Sequence, residues 1–516
     1  MHCMVTETAS PKKIHVPVTA FRLFRSPLIL FVILSTLIIL MVGIWLRWHL
    51  LELPFDRDSY DEGVYWQSLR AMGSGHVLYQ QIFYSQPPFF LLTIFPFYQW
   101  LGQNLIAARE GIALISLLGL GGAFLLGKAV RNWPGALFAL LLCALAPLYL
   151  VESQTLQAEA PSVAFSFLSV GSAYLWWNHP HGKRGIVVAS LALFTLVLGI
   201  LCKLLAVSAV VPIVMIALMQ LWRSAQTHSP TLKQLGLTLL IASCLCLFTC
   251  IVILWPFRDS FPTLWRSVIT FHTDARQLFT GSQSKNLTTI KQFLWTPLTF
   301  VAIFSCGVAF LKRDWQILPL LGWFIATLAM LWQQAPLFPH HMVALLPSMI
   351  SLAIFSLPSP FWREGSSNHQ RKLLAIISLC LLLLMTIYNL LAIQTYYHQE
   401  AAQAHSQKTA KDLKIAEDLR GLLQPGQLII TDAQFIAGLA DQSTPAALVD
   451  TSLVRIQTGY VSNEQLIHEA EQPQVRMVLF YTGRLSTEEG FVKWVDEHFQ
   501  LTKDYGNGRM LWTKIA

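Results

Sequence analysis

The chain has 516 residues and a formal net charge of +8; 54% of its residues are hydrophobic and only 12% are charged. A soluble domain carries about a quarter charged residues, so this composition excludes an ordinary water-soluble globular protein and indicates a polytopic membrane protein. The Lys and Arg excess reads as topological rather than as a nucleic-acid surface, because no basic stretch is interleaved with stacking aromatics.

The polar, basic start MHCMVTETASPKK precedes a long apolar run without a small-residue cleavage site, which predicts an uncleaved anchor. Hydropathy predicts eleven spans, at 27–48, 109–127, 134–151, 160–177, 186–202, 204–222, 235–255, 297–311, 315–332, 341–357 and 373–393. The segment PPFFLLTIFPFYQWLG, 87–102, is ambiguous, being short and carrying Pro87, Pro88 and Pro96. Charge parity resolves it. Lys12, Lys13, Arg22 and Arg25 place the N-terminus inside, and if 87–102 does not cross, the loops carrying Lys128/Arg131, Lys183/Arg184, Arg223/Lys233, Lys312/Arg313 and Arg363/Arg371/Lys372 all fall inside too. The expectation is an interfacial 87–102 and an extracytoplasmic C-terminus. The loop 256–296 keeps Arg258, Arg266, Arg276, Lys285 and Lys291 outside against this trend, as basic groups serving an anionic ligand would be.

Three divisions follow: a cytoplasmic tail 1–26, a transmembrane region 27–395 with an outer loop at 49–108, and an extracytoplasmic domain 396–516. In the last, LIITD and VRMVLFY read as strands alternating with helices, and YGNGRM as a hairpin turn, giving a small α/β domain with a partly parallel sheet. The eight cysteines lie mostly in apolar runs without a CxxC pair and read as buried small hydrophobes. The triplet Asn286-Leu287-Thr288 matches a glycosylation sequon, a pattern that chance produces often.

On this topology four polar features share the outer face: the acidic stretch FDRDSYDEGVYW, Glu159 at the start of the fourth span, Lys203 between two apolar runs, and His340-His341 before the tenth span. Ionisable groups at membrane depth are costly, about 2.5–3.5 kcal/mol on insertion scales, and tend to be paired or functional. Asp56 and Asp58 read as solvent-facing or capping acids, and Asp432 and Asp450 as structural strand-end residues. The set suits group transfer from a lipid phosphate: a carboxylate deprotonates an acceptor hydroxyl, and a cation neutralises the departing phosphate. A transporter or flippase is the alternative, but it predicts mid-span charges and repeated halves; a non-catalytic scaffold presenting residues 400–516 is a third reading.

The stretch DEGVYWQSLRAMGSGHVLYQQIFYSQPPF resembles the first outer loop of polytopic glycosyltransferases of the GT-C superfamily, in the branch of protein O-mannosyltransferases and lipid A aminoarabinose transferases. The matching positions are Asp61-Glu62, Tyr65, Gly75, Tyr79 and Pro87-Pro88; LGILCKLLAVSAVVP and FPHHMVALLP extend the similarity, although His341 stands where a Tyr is usual. The resemblance implies a helical GT-C-like membrane fold and a dolichyl- or undecaprenyl-phosphate-linked sugar donor. It implies inverting transfer to a protein, lipid or glycan acceptor, with Asp61 as base and Glu62 positioning it. Lys203, Glu159, His340, Tyr65 and Tyr79 are expected at the substrate, and Arg258, chosen from topology, at the donor phosphate. No cofactor is expected. Relatives differ in metal use, so a divalent metal stays open without a motif to support it.

Overall fold

A computed structural model describes residues 27–57, 60–226, 231–279, 281–357 and 368–515 of the chain. Asp58, the basic residues before Pro27, and Arg363 lie outside the described residues. All eleven expected segments are helical, with 3-10 turns at Leu204–Ala209, Trp315–Ile317, Pro339–Leu345 and Ile354–Ser356. Pro27–Trp48 leaves Leu28, Phe31, Leu37, Ile38 and Met41 exposed, as a helix bathed in lipid does. The chain is an integral membrane protein.

Among the described residues, eight helices are long and apolar enough to cross a membrane, or nine when the bent pair Ser282–Leu294 and Pro297–Leu311 forms one span. The difference from eleven has physical causes. Leu105–Ala144 is two expected spans in one element, because the chain reverses at Arg131 and Asn132, whose φ is 54° and ψ −150°. The two arms touch: a Cβ on Gly127 would lie 2.2 Å from the Gly135 carbonyl oxygen, so only glycine fits this crossing. Glu159–Asn178 has 20 residues, but its four serines lower its hydropathy. Small residues let it pack centrally, with Ser169 donating to the Ala192 carbonyl at 2.8 Å.

Phe89–Leu101 has 13 residues, about 20 Å of helix, too short for a hydrocarbon core of about 30 Å. A second observation bears on the same segment. Helix Asp61–Gly73, in the first loop, touches the C-terminal domain: Arg70 pairs with Asp441 at 2.8 Å and Gln67 donates to the carbonyls of Gln434 and Gln442. Both regions therefore share one side of the membrane, and the chain crosses an even number of times between them. Ten expected spans satisfy this; a crossing at 87–102 would make eleven. On the other side, Arg131 pairs with Asp314 at 2.8 Å, joining two loops that parity had placed together.

The long helix Asn368–Ala404 runs into the C-terminal domain, which carries a mixed sheet. β1 (Leu428–Thr431) pairs in parallel with β2 (Val475–Phe480), in the register Ile429 to Met477. β4 (Met510–Lys514) runs antiparallel to β2 and forms a hairpin with β3 (Phe499–Asp504). Asp432, just past β1, accepts the backbone amides of Tyr481, Thr482, Arg484 and Leu485, a structural turn role. The sequon residue Asn286 is 3% exposed and donates to the carbonyls of Trp332 and Gln334, so it is not available for modification.

Candidate active site

Asp61 is the first residue of helix Asp61–Gly73, where the helix dipole favours an acid. The sequence after it fixes that helix from both flanks. Glu62 is fully buried and bidentate with Arg109, Nε to Oε1 and Nη2 to Oε2 both at 2.7 Å, and also accepts the Leu156 amide at 3.0 Å. Arg109 spends its remaining donors on the carbonyls of Leu51, Leu53 and Phe55, tying down the loop before the helix. Burial alone would raise the Glu62 carboxyl; the Arg109 and Arg57 guanidiniums outweigh it and hold it below the usual carboxylate range. On the other flank Gly63 meets the C-terminal domain, where a Cβ would lie 2.4 Å from the Phe435 backbone nitrogen. Glycine therefore follows the acid pair because two backbones approach there.

Glu62 is thus a fully engaged buried anion and is not part of the cavity wall that Asp61 lines. The residue before the pair, Tyr60, reaches the C-terminal domain: its hydroxyl accepts the Thr451 amide at 2.7 Å and lies 3.3 Å from Asp450 Oδ1. Burial pushes that hydroxyl well above the ordinary phenol range, so it stays protonated and donates.

Asp61 lines a cavity of about 1070 Å³ at the junction of the membrane helices and the C-terminal domain. Tyr65, Lys203, His340 and His341 line it too, together with apolar residues such as Leu204, Val207, Phe279 and Met330. Three expected residues are placed otherwise. Glu159 stands behind Lys203, 2% exposed, and holds its ammonium in a direct ion pair. Tyr79 is buried under the cavity, packed on Phe257 at 5.3 Å with its hydroxyl donating to the Gln86 carbonyl. Arg258 lies on the turn Trp255–Ser260 with its side chain 55% exposed, stacked over Trp255 and 3.5 Å from Asp259, away from the cavity wall.

The segment that carries Arg258 also supplies His272 and Arg276, four residues apart on helix Phe271–Leu278 and both on the wall. Arg276 was among the basic residues kept outside, so a signal existed, but nothing in the spacing ranked it above Arg258. Wall residues that the sequence did not single out include Glu152, Gln157, Tyr84 and Arg484. The Gln157 amide and the Tyr84 hydroxyl are buried without a hydrogen-bond partner in the protein. Buried polar atoms are normally satisfied, so groups like these on a cavity wall suit a polar ligand. Arg484 arrives from the C-terminal domain, its guanidinium 3.8 Å over the Tyr60 ring, and Asp450 joins it there.

Bundled spans, loop helices carrying the acid pair, and a small α/β domain over the cavity make up a fold that solved structures share. Among solved structures, ArnT from Cupriavidus metallidurans bound to undecaprenyl phosphate superposes with a TM-score of 0.64 at 14% identity, covering 95% of this chain and 99% of that one. The Archaeoglobus fulgidus oligosaccharyltransferase in complex with Zn and sulfate gives a TM-score of 0.52 at 15% identity, covering 93% of this chain and 73% of that one. Both are GT-C glycosyltransferases, and the shared feature is the fold. No protein-family profile matches the chain, and no curated protein does.

The zinc in the second structure raises the question of what this chain could hold. Glu159, His340 and His341 offer ligand atoms within 4.8 Å of one another. The Glu159 Oε1 to Nε2 separations are 3.5 Å for His340 and 3.7 Å for His341, too long for hydrogen bonds but close to the edge of about 3.4 Å between two ligands on a tetrahedral zinc. Two features oppose a metal. The Lys203 ammonium already sits on the same Glu159 oxygen. His341 Nδ1 accepts the Phe338 amide at 3.3 Å, which leaves the proton of the neutral ring on Nε2, the atom a metal would need. Spacing fits a metal; occupancy and tautomer do not. Sequence spacing could not reveal this cluster, because its members come from segments about 180 residues apart.

Proposed function

We propose that this protein is a glycosyltransferase that moves a sugar from a polyprenyl-phosphate-linked donor to an acceptor hydroxyl at the extracytoplasmic face, with inversion. The observation that carries the reading is that one cavity brings together the Asp61 carboxylate and the Lys203 ammonium, 142 positions apart in sequence, in a chain with the fold of a protein solved with undecaprenyl phosphate. Asp61 takes the acceptor proton as the acceptor oxygen bonds to the anomeric carbon, and the bond from that carbon to the phosphate oxygen breaks. Lys203 meets the departing phosphate; its ammonium has three donors, so it serves Glu159 and the phosphate together. His272 and Arg276 add polar groups to the same wall, and the apolar residues around Leu204 and Met330 suit the lipid chain. Glu62 and Arg109 hold the helix that presents Asp61.

The first loop and residues 396–516 then lie outside and the N-terminus inside. The acceptor enters the cavity on the side of the C-terminal domain, where Asp450 and Arg484 complete the wall. The test supplies purified protein with radiolabelled polyprenyl-phosphate sugars and a membrane extract, and compares the wild type with Asp61→Asn. Label moving from donor to acceptor only with the wild type is expected; transfer that survives the substitution would sink the assigned base. A single cysteine near residue 130 should resist outside-only labelling, and its modification would reverse the orientation.

A further inference from the structure

The Glu159 cluster has the outline of a divalent metal site but holds a lysine. Three protein groups converge on one point: the Glu159 carboxylate and the imidazoles of His340 and His341, whose rings stand perpendicular with centroids 4.5 Å apart. Glu159 is 2% exposed, and its second oxygen, Oε2, is buried without a hydrogen-bond partner. A buried carboxylate needs a counter-charge. The Lys203 ammonium provides it, contacting Oε1 from the extended residue that caps helix Gly182–Cys202. Lys203 also forms part of the cavity wall, whereas Glu159 does not.

We propose that Lys203 is a built-in cation that occupies the place a divalent ion would otherwise take, bridging Glu159 to the anionic ligand of the cavity and keeping metal out of the cluster. Three facts converge on this. The carboxylate oxygen that would ligate the ion is the one in contact with the ammonium. The two histidine nitrogens stand at ligand-to-ligand spacing from that same oxygen. The Phe338 amide holds His341 in the tautomer that carries its proton on Nε2, the atom nearest the carboxylate, a state compatible with a lysine-neutralised anion and not with ligation. Removing the lysine leaves an uncompensated buried carboxylate beside two imidazoles, a donor set that suits Zn²⁺. His341 then changes tautomer and gives up only a long hydrogen bond.

The bridging to a phosphate rests on the glycosyltransferase reading; the exclusion of metal does not, and it is tested without any transfer assay. Detergent-purified full-length protein is titrated with Zn²⁺ by calorimetry and with Co²⁺ by absorption spectroscopy, after its metal content has been measured. The wild type is expected to purify without stoichiometric metal and to bind Zn²⁺ weakly. Lys203→Ala is expected to bind one Zn²⁺ at least tenfold more tightly, with the intense visible bands of tetrahedral Co²⁺, and to lose both when His340→Ala is added. A wild type that binds one Zn²⁺ as tightly as Lys203→Ala, or that purifies with one ion lost in His340→Ala, overturns the inference. So does a folded Lys203→Ala with no gain in affinity. If Lys203→Ala does not fold, the metal content and Zn²⁺ affinity of the wild type and His340→Ala still decide between lysine and metal.

Discussion

Glu62 and Glu159 are both buried near the cavity, and their surroundings are opposites. Glu62 faces Arg109, a rigid planar partner, and each of its oxygens is hydrogen bonded at normal length. Glu159 faces Lys203, a flexible point charge, beside two histidines too distant to hydrogen bond, and one of its oxygens is unpartnered. Saturation at Glu62 marks a joint that holds a helix in place. Incomplete satisfaction at Glu159 marks a site with capacity for another group. Burial is the same in both, so burial alone does not separate scaffold from chemistry; the count of satisfied lone pairs does.

The largest expected effect tests the saturated side. Arg109→Ala strands the Glu62 charge and three carbonyls, so it should cost about 3–5 kcal/mol in thermal unfolding of the detergent-solubilised protein, and Glu62→Gln combined with Arg109→Met should cost less. An unchanged unfolding temperature for Arg109→Ala breaks the contrast. Next in size, Asp61→Asn should lower transfer by about 10²–10⁴-fold while leaving unfolding nearly unchanged, the reverse of the Arg109 result. A variant that loses stability instead of rate assigns Asp61 to the scaffold.

Smaller effects sharpen the boundary between the two regions. Gln67→Ala removes the side-chain partner of Thr444 N and of two carbonyls at the docking face, and should destabilise that contact by about 1–3 kcal/mol, read as faster proteolysis of the C-terminal domain. Acid should act through Glu62. Its folded value is depressed, so its stabilisation is complete above the ordinary carboxylate range and is lost as pH falls through the depressed value. Glu62→Gln should flatten that acid limb of the stability profile; an unchanged limb assigns it to other carboxyls. Arg258→Ala, exposed and off the wall, should change stability by no more than about 0.5 kcal/mol and leave transfer unaltered. A large loss of transfer there would return a share of the donor phosphate to Arg258.

Much of the fold was readable along the chain. Helical segments, the short 87–102 piece and the alternation of strands and helices in the C-terminal domain follow from hydropathy, proline placement and local alternation, all of which act between near neighbours. Asp61 and Lys203 were readable because a charge at the edge of an apolar run is conspicuous. Arg258 was misplaced because net charge names a loop and not a face: the same segment carries Arg276, and only the helical path from Trp255 to Leu278 turns one to the cavity and the other away. Glu62 and Tyr79 looked like site residues because they share a motif with Asp61, yet motif membership does not distinguish a residue that touches substrate from one that holds its neighbour.

By itself the sequence determined the membrane class, the parity of the crossings and the presence of an acidic and a basic residue at the ends of apolar runs, since hydrophobicity and charge act through solvent and need no partner. Only the tertiary structure decided which carboxylate is spent on an arginine, that Gly63 lies under a second backbone, and that Glu159, Lys203, His340 and His341 meet. Those outcomes depend on distances of a few ångströms between segments up to hundreds of residues apart, and close packing of the helices and the C-terminal domain is what sets them.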